Sequence, residues 1–436
     1  MTFEQTAALA VLFAVIAALI WNRVRSDVVA LTGAAVLLAL GVIRPVEAQA
    51  AFASPAIIAL ASLFVIAYAL ELSGLLDALI QAAERLCARL GAAGVWLVIG
   101  LCGAASAFLN NTPIVVLAAP VVRDIAQSLK VSPQRFLIPL SYVTILGGAC
   151  TLIGTSTNLL VNDMAQSSGQ PGFRLFDITP VGLIVGLAGG LYLLVAAPRM
   201  LGGRELAPPV PDAQAVADAT RSGDTSLGDA SLFAVRRPLD LRRGLLALAV
   251  FVAVVTVAAL GYAPIAATAF TGAVALVVMR VIGPDEAYRG LRPQILLLIA
   301  GMVVIGLSLE VSGLAELTTE ALIGAVQGVS PLIALALLYG ATLALTEVLS
   351  NAAVAVLLTP VAVALAESLG VSPRPFLVAV MMAASAAFAT PFGYQTNVLV
   401  YEMGRYRYMD FVRIGLPLNL ITWAAGVAAI PAFFPF

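Results

Sequence analysis

The sequence contains no histidine and only three cysteines among its 436 residues. Without histidine, the chain lacks the commonest metal ligand and the usual proton relay. Cys87, Cys102 and Cys150 are odd in number and do not have the spacing of metal ligands, so we expect no disulfide framework, no metal centre and no cofactor. No aspartate lies at the centre of a predicted span. These absences leave a membrane enzyme without candidate catalytic groups, so we expect the chain not to be an enzyme.

Charged residues are also scarce, at 11%, whereas hydrophobic residues make up 61% and the mean hydropathy is +1.03. Soluble domains do not have such a composition, and the chain contains many apolar runs of spanning length. We therefore predict an all-α polytopic protein of the plasma or inner membrane. Its expected surrounding is the lipid bilayer, and no feature points to nucleic acid as a partner.

A duplication organises the chain. Residues 109–138 align with residues 349–378 without a gap, and 14 of the 30 positions are identical. Chance similarity between apolar segments does not reproduce an Asn, two Pro and a Ser-Pro in register. The similarity extends upstream, where Thr32–Ala34 recurs as Thr271–Ala273. We conclude that nearly the whole chain consists of two repeats.

The duplication predicts a first repeat at 1–198, a cytoplasmic linker at 199–243 and a second repeat at 244–436. The linker is rich in Pro, Asp, Ser and Arg, so we expect a loop or disorder. Each repeat is predicted to contain an interfacial amphipathic helix, a re-entrant hairpin and a broken transmembrane helix. The expected ranges are 74–90 and 314–327 for the interfacial helices, 94–130 and 330–370 for the hairpins, and 135–160 and 376–401 for the broken helices.

The two repeats are expected to be inverted in the membrane. Each is predicted to cross five times, because a re-entrant hairpin returns to its own side, and an odd number of crossings turns the second repeat over. With the N-terminus outside, only Arg44, Arg174 and Arg374 of the 23 Lys and Arg residues fall on the outer side. This distribution follows the positive-inside rule, and inverted repeats with broken helices are typical of secondary transporters.

The polar breaks predict sites for ions of both signs. At a hairpin tip one helix ends with free carbonyls and the next begins with free amides, so opposite partial charges lie side by side. We expect Asn111 or Thr112 to cap a helix begun by Pro113, and Ser350 or Asn351 to cap its counterpart. Amides and hydroxyls can hold an anion without arginine, and neutral oxygens can hold sodium. Single Asn residues often only bind neighbouring helices, but four matched breaks favour a transport site.

The hairpin tips read Asn110-Asn111-Thr112 and Ser350-Asn351-Ala352, and each is followed about forty residues later by Gly-x-x-Thr-Asn. These motifs resemble the divalent anion/sodium symporter family (the SLC13 permeases) over essentially the whole chain. The resemblance implies sodium symport of a small inorganic or organic divalent anion. It also implies that the hairpins and broken helices form one transport domain, which moves by an elevator mechanism against a scaffold that forms a homodimer.

Carried over by position, the resemblance implies two sodium sites and one substrate site. The first sodium site would use Ser106, Asn110, Asn111 and Gly154, and the second would use Thr346, Leu349, Asn351 and Gly393. The substrate would contact Asn110, Asn111, Thr112, Thr155, Ser350, Asn351, Ala352, Tyr394 and Gln395.

The sequence departs from the family pattern of Ser-Asn-Thr tips and Thr-Pro breaks at Asn110, at Ala352 and at Tyr394-Gln395. The second break, Gly-Tyr-Gln-Thr-Asn, is similar to the branch that includes sulfate transporters. Many of these carry TrkA-C domains between the repeats, and the linker here is too short for one. We therefore expect sulfate or a similar oxyanion to be favoured, with sodium/dicarboxylate symport as the alternative.

A cation/proton antiporter of related architecture is a further alternative. Such a protein normally has an intramembrane Asp or Glu at its site, and only Glu347, three residues before the second tip, could serve. The sequence leaves open whether Glu347 is protonatable or supports the site from outside. A channel is disfavoured, because it does not need paired breaks that close a site from both sides.

Overall fold

The structure, a computed structural model, describes residues 2–21, 24–75, 78, 91–201, 238–260, 262–291, 293–313, 329–347, 349–391 and 393–436. The described residues form helices joined by turns and loops and contain no strand, which confirms the predicted all-α class. Except for residues 74, 75 and 78, the predicted interfacial helices at 74–90 and 314–327 lie outside the described residues, as does most of the predicted linker.

The described helices of the two repeats follow one another in the same order. The first repeat contains α1 (Phe3–Trp21), α2 (Ser26–Ala39), α3 (Pro45–Phe52), α4 (Pro55–Leu72), α5 (Ala92–Ser106), α6 (Asn111–Ser128), α7 (Gln134–Gly148), α8 (Ser156–Ser167) and α9 (Thr179–Met200). The second contains α10 (Leu241–Ala259), α11 (Ile265–Val278), α12 (Pro284–Gly290), α13 (Pro293–Val311), α14 (Pro331–Thr346), α15 (Asn351–Ser368), α16 (Arg374–Ala384), α17 (Gln395–Gly404) and α18 (Tyr408–Phe433).

Helix starts are fixed by short-range capping. Ser54 Oγ accepts a hydrogen bond from Ile57 N at 3.3 Å, with Pro55 as the first residue of α4, as the Ser-Pro pair predicts. The short helices α3 and α12 were not predicted. Each begins with a proline, and a glutamate two positions later accepts from the backbone amide that precedes the helix: Glu47 from Arg44 at 2.9 Å and Glu286 from Gly283 at 2.8 Å.

Helix packing respects the repeat. Helix α2 packs against α13, and α11, the counterpart of α2, packs against α4, the counterpart of α13. In the same way α5 packs against α7 and α14 against α16. Corresponding helices therefore occupy corresponding environments.

The helices form two groups. Helices α1–α4 pack with α10–α13, and α5–α9 pack with α14–α18. The main contacts between the groups join α4 and α13 to α8 and α15. All tips and breaks thus belong to the second group.

Five helical stretches are long and apolar enough to cross a membrane by length and composition: Pro45–Leu72, Thr179–Met200, Leu241–Ala259, Asn351–Ser368 and Tyr408–Phe433. Among the shorter apolar helices are Ala92–Ser106 and Pro331–Thr346. Asn351–Ser368, which is expected to be the returning half of a hairpin, has spanning length, so length alone does not separate a re-entrant helix from a crossing one.

Candidate ion and anion site

The first hairpin tip lies between the end of α5 at Ser106 and the start of α6 at Asn111. The Asn110 side-chain oxygen accepts a hydrogen bond from Thr112 N at 3.4 Å, so Asn110 caps the helix. The expectation that Asn111 or Thr112 would cap a helix begun by Pro113 is wrong, because the helix already begins at Asn111. Pro113 can stand inside the first turn, since the backbone amide that it lacks would have no partner within the helix there. Ser106 Oγ donates a hydrogen bond to Asn111 Oδ1, and both residues are fully buried.

The first break covers residues 149–155, between α7 and α8. It starts earlier than the polar stretch 154–158 that marks it in the sequence. Thr155 Oγ1 accepts from Asn158 N at 3.2 Å and caps α8. Asn158 therefore lies inside the helix, and its side-chain amide donates to Thr151 O at 2.9 Å. The break is held from within the helix that follows it.

Two glycines bring neutral oxygens of the tip and the break together. A Cβ atom on Gly154 would lie 2.3 Å from Gly148 O and 2.9 Å from Ala107 O. A Cβ atom on Gly148 would lie 2.7 Å from Asn111 Oδ1. Thr151 Oγ1 donates to Ala107 O and accepts from Gly154 N at 3.2 Å. Any side chain at Gly148 or Gly154 would collide with these oxygens.

The second tip repeats the first. Ser350 Oγ accepts from Ala353 N at 3.3 Å and caps α15, which is one of the two expected caps. Thr346 Oγ1 lies 2.9 Å from Asn351 Oδ1 and 2.7 Å from Ala384 O. The pair Thr346–Asn351 thus reproduces the pair Ser106–Asn111.

The described residues of the second break are 385–391, 393 and 394, between α16 and α17. Gly393 N donates to Thr390 Oγ1 at 3.1 Å, and Thr390 Oγ1 lies 3.1 Å from Glu347 O. The Asn397 side-chain amide lies 3.4 Å from Thr390 O and 2.8 Å from Ala387 O. Each of these contacts has a counterpart in the first break. Gly393–Thr390 corresponds to Gly154–Thr151, Thr390–Glu347 O to Thr151–Ala107 O, and Asn397–Thr390 O to Asn158–Thr151 O.

The two repeats meet at their polar breaks. The Asn111 side-chain amide donates to Tyr394 OH at 2.7 Å, and Thr112 Oγ1 donates to Gln395 Oε1 at 3.3 Å. The two breaks also contact each other, since Thr155 Oγ1 lies 3.4 Å from Ser385 Oγ. The first tip therefore contacts the second break directly.

The structure brings most of the predicted site residues into this cluster. Each break lies beside the tip of its own repeat, and Gly154 and Gly393 occupy close approaches between them. Leu349 is buried beside the second tip, and Ala352 is half-buried in the first turn of α15. These last two side chains offer no polar atom, so only their backbone groups could contact an ion.

Several residues of the cluster were missed in the sequence, namely Ala107, Gly148, Thr151, Ser385 and Thr390. Thr151 and Thr390 could have been found from the sequence, because a threonine stands three residues before the glycine of the break in each repeat. Ala107, Gly148 and Ser385 contribute through backbone position or a long-range contact, which no local pattern marks.

Glu347 is the one carboxylate beside the second tip whose contacts the structure shows. Its Oε1 accepts from Phe388 N at 2.9 Å, from Ala389 N at 2.8 Å and from Asn419 Nδ2 at 2.7 Å. Its Oε2 accepts from Thr390 N at 2.8 Å. Thr390 Oγ1 also lies 2.9 Å from Oε2, so the second break and α18 together hold the carboxyl group by hydrogen bonds.

Comparison with known proteins places these features among transporters. A sequence model of the citrate transporter family (CitMHS) matches residues 16–370. An uncharacterized transporter of Synechocystis sp. is 27% identical, over 91% of this chain and 91% of that protein.

Shorter matches concern transporters with named substrates. A probable sodium/sulfate cotransporter of Chlamydomonas reinhardtii is 40% identical over 105 residues, which are 22% of this chain and 12% of that protein. The sodium-dependent dicarboxylate transporter SdcS of Staphylococcus saprophyticus is 30% identical over 137 residues, which are 31% of this chain and 26% of that protein.

A solved structure shares the fold. The crystal structure of the Alcanivorax borkumensis YdaH transporter superposes with a TM-score of 0.60 at 15% identity, covering 88% of this chain and 86% of that chain. At this identity the similarity concerns the fold alone.

Proposed function

The chain belongs to the citrate transporter family (CitMHS), and from that premise we propose that it couples the transport of a divalent anion to sodium. Membership makes the chain a multi-pass membrane transporter and not an enzyme, as the composition predicts. The relatives named as sodium/sulfate and sodium-dependent dicarboxylate transporters confirm the resemblance to divalent anion/sodium symporters.

Sodium coupling is supported by the two matched sets of neutral oxygens at tip and break. In the first set, Gly148 O, Ala107 O and Asn111 Oδ1 converge around two glycines. Asn158, whose side-chain amide donates to Thr151 O of the same break, has a fully buried Oδ1 with no hydrogen-bond partner among the described residues. A buried acceptor without a donor is costly, and a small cation would satisfy it. Carbonyl and carboxamide oxygens suit a monovalent cation.

The anion is proposed to lie where the first tip meets the second break. The N-termini of α6 and α17 meet there, and their first-turn amides favour negative charge. Asn111, Thr112, Tyr394 and Gln395 supply side-chain donors. This is the observation that carries the proposal, because it joins an anion-favouring environment to a cation-favouring one within a single buried cluster.

Sulfate, or a similar inorganic oxyanion, is the proposed substrate. Tyr394 and Gln395 contact the first tip, and we propose that they take up the volume that a longer diacid would need. Ala352 lacks the hydroxyl that could bind a second carboxylate. A compact tetrahedral anion needs fewer donors, clustered at one place. Sodium/dicarboxylate symport remains the alternative, since a dicarboxylate transporter is also among the relatives.

Transport is proposed to proceed by an elevator movement of one helix group against the other. The division into α1–α4 with α10–α13 and α5–α9 with α14–α18, joined mainly through α4, α13, α8 and α15, supports two bodies that move separately. The first group would be the scaffold and the homodimer interface. The repeats are proposed to be inverted in the membrane, in line with the odd number of predicted crossings.

A cation/proton antiporter is disfavoured by the surroundings of Glu347. Its carboxyl oxygens accept from four N–H donors, which supports a role in fixing the second break and α18 instead of a role as proton carrier.

The experiment is uptake of labelled sulfate into proteoliposomes with and without an inward sodium gradient, with unlabelled sulfate, succinate and citrate as competitors. Sodium-driven uptake that sulfate inhibits at the lowest concentration supports the proposal. Better inhibition by succinate or citrate would overturn the substrate, and uptake driven by a pH gradient but indifferent to sodium would overturn the coupling.

A further inference from the structure

We infer that Glu347 is a positioning residue that fixes the second break by its negative charge, so that the two sodium sites are unequal. The inference rests on the proposed sodium symport. Its basis is a difference between the repeats at otherwise matched positions: the residue after Ser106 is Ala107, whereas the residue after Thr346 is Glu347.

The carboxylate binds consecutive backbone amides of the second break. Phe388 N, Ala389 N and Thr390 N all donate to it at 2.8 to 2.9 Å. Thr390 is also the residue whose hydroxyl accepts from Gly393 N and whose carbonyl lies near the Asn397 amide. The carboxylate therefore fixes the loop that places Gly393 against Thr346 O, 3.4 Å from the position of a Cβ atom on that glycine.

Asn419 extends this arrangement to the last helix. Its side-chain amide donates to Glu347 Oε1 at 2.7 Å, and it is buried on α18. The second tip, the second break and α18 are thus joined through one charged group. At the corresponding place of the first repeat stands Ala107, which has no carboxylate, and Thr151 Oγ1 donates to its backbone oxygen as Thr390 Oγ1 donates to Glu347 O.

The charge also changes the electrostatics of the second site. Glu347 follows the last residue of α14, where the helix dipole already places partial negative charge. A carboxylate at a helix C-terminus adds to that negative charge, and a cation beside Thr346 and Asn351 relieves it. The second site is therefore preformed and binds sodium more tightly, whereas the first site, built from neutral groups, binds it more weakly.

The test measures sodium binding to the purified full-length protein by the rise of its melting temperature with NaCl, at constant ionic strength with choline chloride. The variants are Glu347→Gln, which keeps the shape and removes the charge, and Asn419→Ala, which keeps the charge and removes one donor. Glu367→Gln is the matched control, because it removes an exposed carboxylate from the same hairpin. Uptake under a pH gradient is measured in parallel.

We expect the tightest sodium transition to shift to a concentration about tenfold or more higher in Glu347→Gln, since hydrogen bonds to a charged group are lost. Asn419→Ala should shift it less, and Glu367→Gln should match the unmodified protein. If Glu347→Gln does not fold, Asn419→Ala against the control decides the question.

An unchanged sodium transition in Glu347→Gln would overturn the inference. If that variant does not fold, an unchanged sodium transition in Asn419→Ala would do the same. Loss of pH-driven uptake in Glu347→Gln, with sodium binding intact, would also overturn it. A melting temperature of the unmodified protein that ignores sodium would instead refute the proposed sodium coupling itself.

Discussion

The side-chain amide of Asn111, at the first hairpin tip, donates a hydrogen bond to the hydroxyl of Tyr394 in the second break over 2.7 Å. Tyr394 stands directly after Gly393, as Thr155 stands directly after Gly154 in the first repeat. A short side chain and a long one therefore occupy corresponding places. This difference makes the site asymmetric, and it is where we expect substrate size to be decided.

Replacing Tyr394 by Thr, together with Ala352→Thr, should move preference from sulfate towards succinate. The first change opens the space that the ring fills, and the second adds a hydroxyl at the other tip. A gained hydrogen bond to a charged acceptor changes affinity by roughly ten- to a hundredfold. The measurement is the ratio of inhibition constants of succinate and sulfate in proteoliposomes. An unchanged ratio in the double variant would remove these residues from substrate selection.

Asn111→Ala and Asn351→Ala should each abolish transport while the protein still inserts and folds. Asn111 joins Ser106 to Tyr394, and Asn351 contacts Thr346, so either change removes side-chain oxygens where helix ends converge. We expect uptake to fall by about a hundredfold or more. Gln127→Ala, also on α6 but away from the tip, is the control. Normal uptake in both Asn variants would assign the tips to packing alone.

Gly154→Ala should eliminate sodium-dependent uptake, because its methyl group would lie 2.3 Å from Gly148 O, which is backbone and cannot turn away. Gly393→Ala should have a milder effect, since its nearest neighbours are the Ala387 and Thr390 side chains at 2.7 and 2.9 Å. Gly190→Ala on α9 is the control, as a Cβ atom there meets no atom within 4 Å. Sodium titrations of uptake report the effect. Equal activity of Gly154→Ala and the control would contradict the proposed first sodium site.

A cysteine at position 226, in a background without the three native cysteines, should react with an impermeant reagent only after cells are permeabilised. The prediction follows from the charge distribution, which places the linker inside and both termini outside. The same variant labelled after solubilisation is the control, because it shows that the cysteine at position 226 can react with the reagent. Labelling of intact cells would reverse the topology and, with it, the sides from which the hairpins enter.

The sequence by itself determined the class of the protein, its duplication and the approximate positions of both tips and both breaks. These are local properties: apolar length reports a span, and Asn, Ser, Thr, Gly and Pro inside an apolar run report an interruption. The Ser54 and Ser350 caps are local in the same sense, because the capped amide lies three residues away.

The tertiary structure decided where the breaks begin, which residues face one another, and the contacts of Glu347. The breaks start at 149 and 385, ahead of the polar stretches that mark them in the sequence. Long-range contacts join each break to its tip: Thr151 Oγ1 of the first break donates to Ala107 O, and Thr346 Oγ1 of the second tip donates to Ala384 O. Asn111 and Tyr394 are 283 residues apart in the sequence, and Glu347 and Asn419 are 72 residues apart, so each pair comes into contact only in the folded chain. The sequence shows a glutamate among apolar residues but not its partners, because the backbone amides of the second break and the Asn419 amide reach it only in the folded chain.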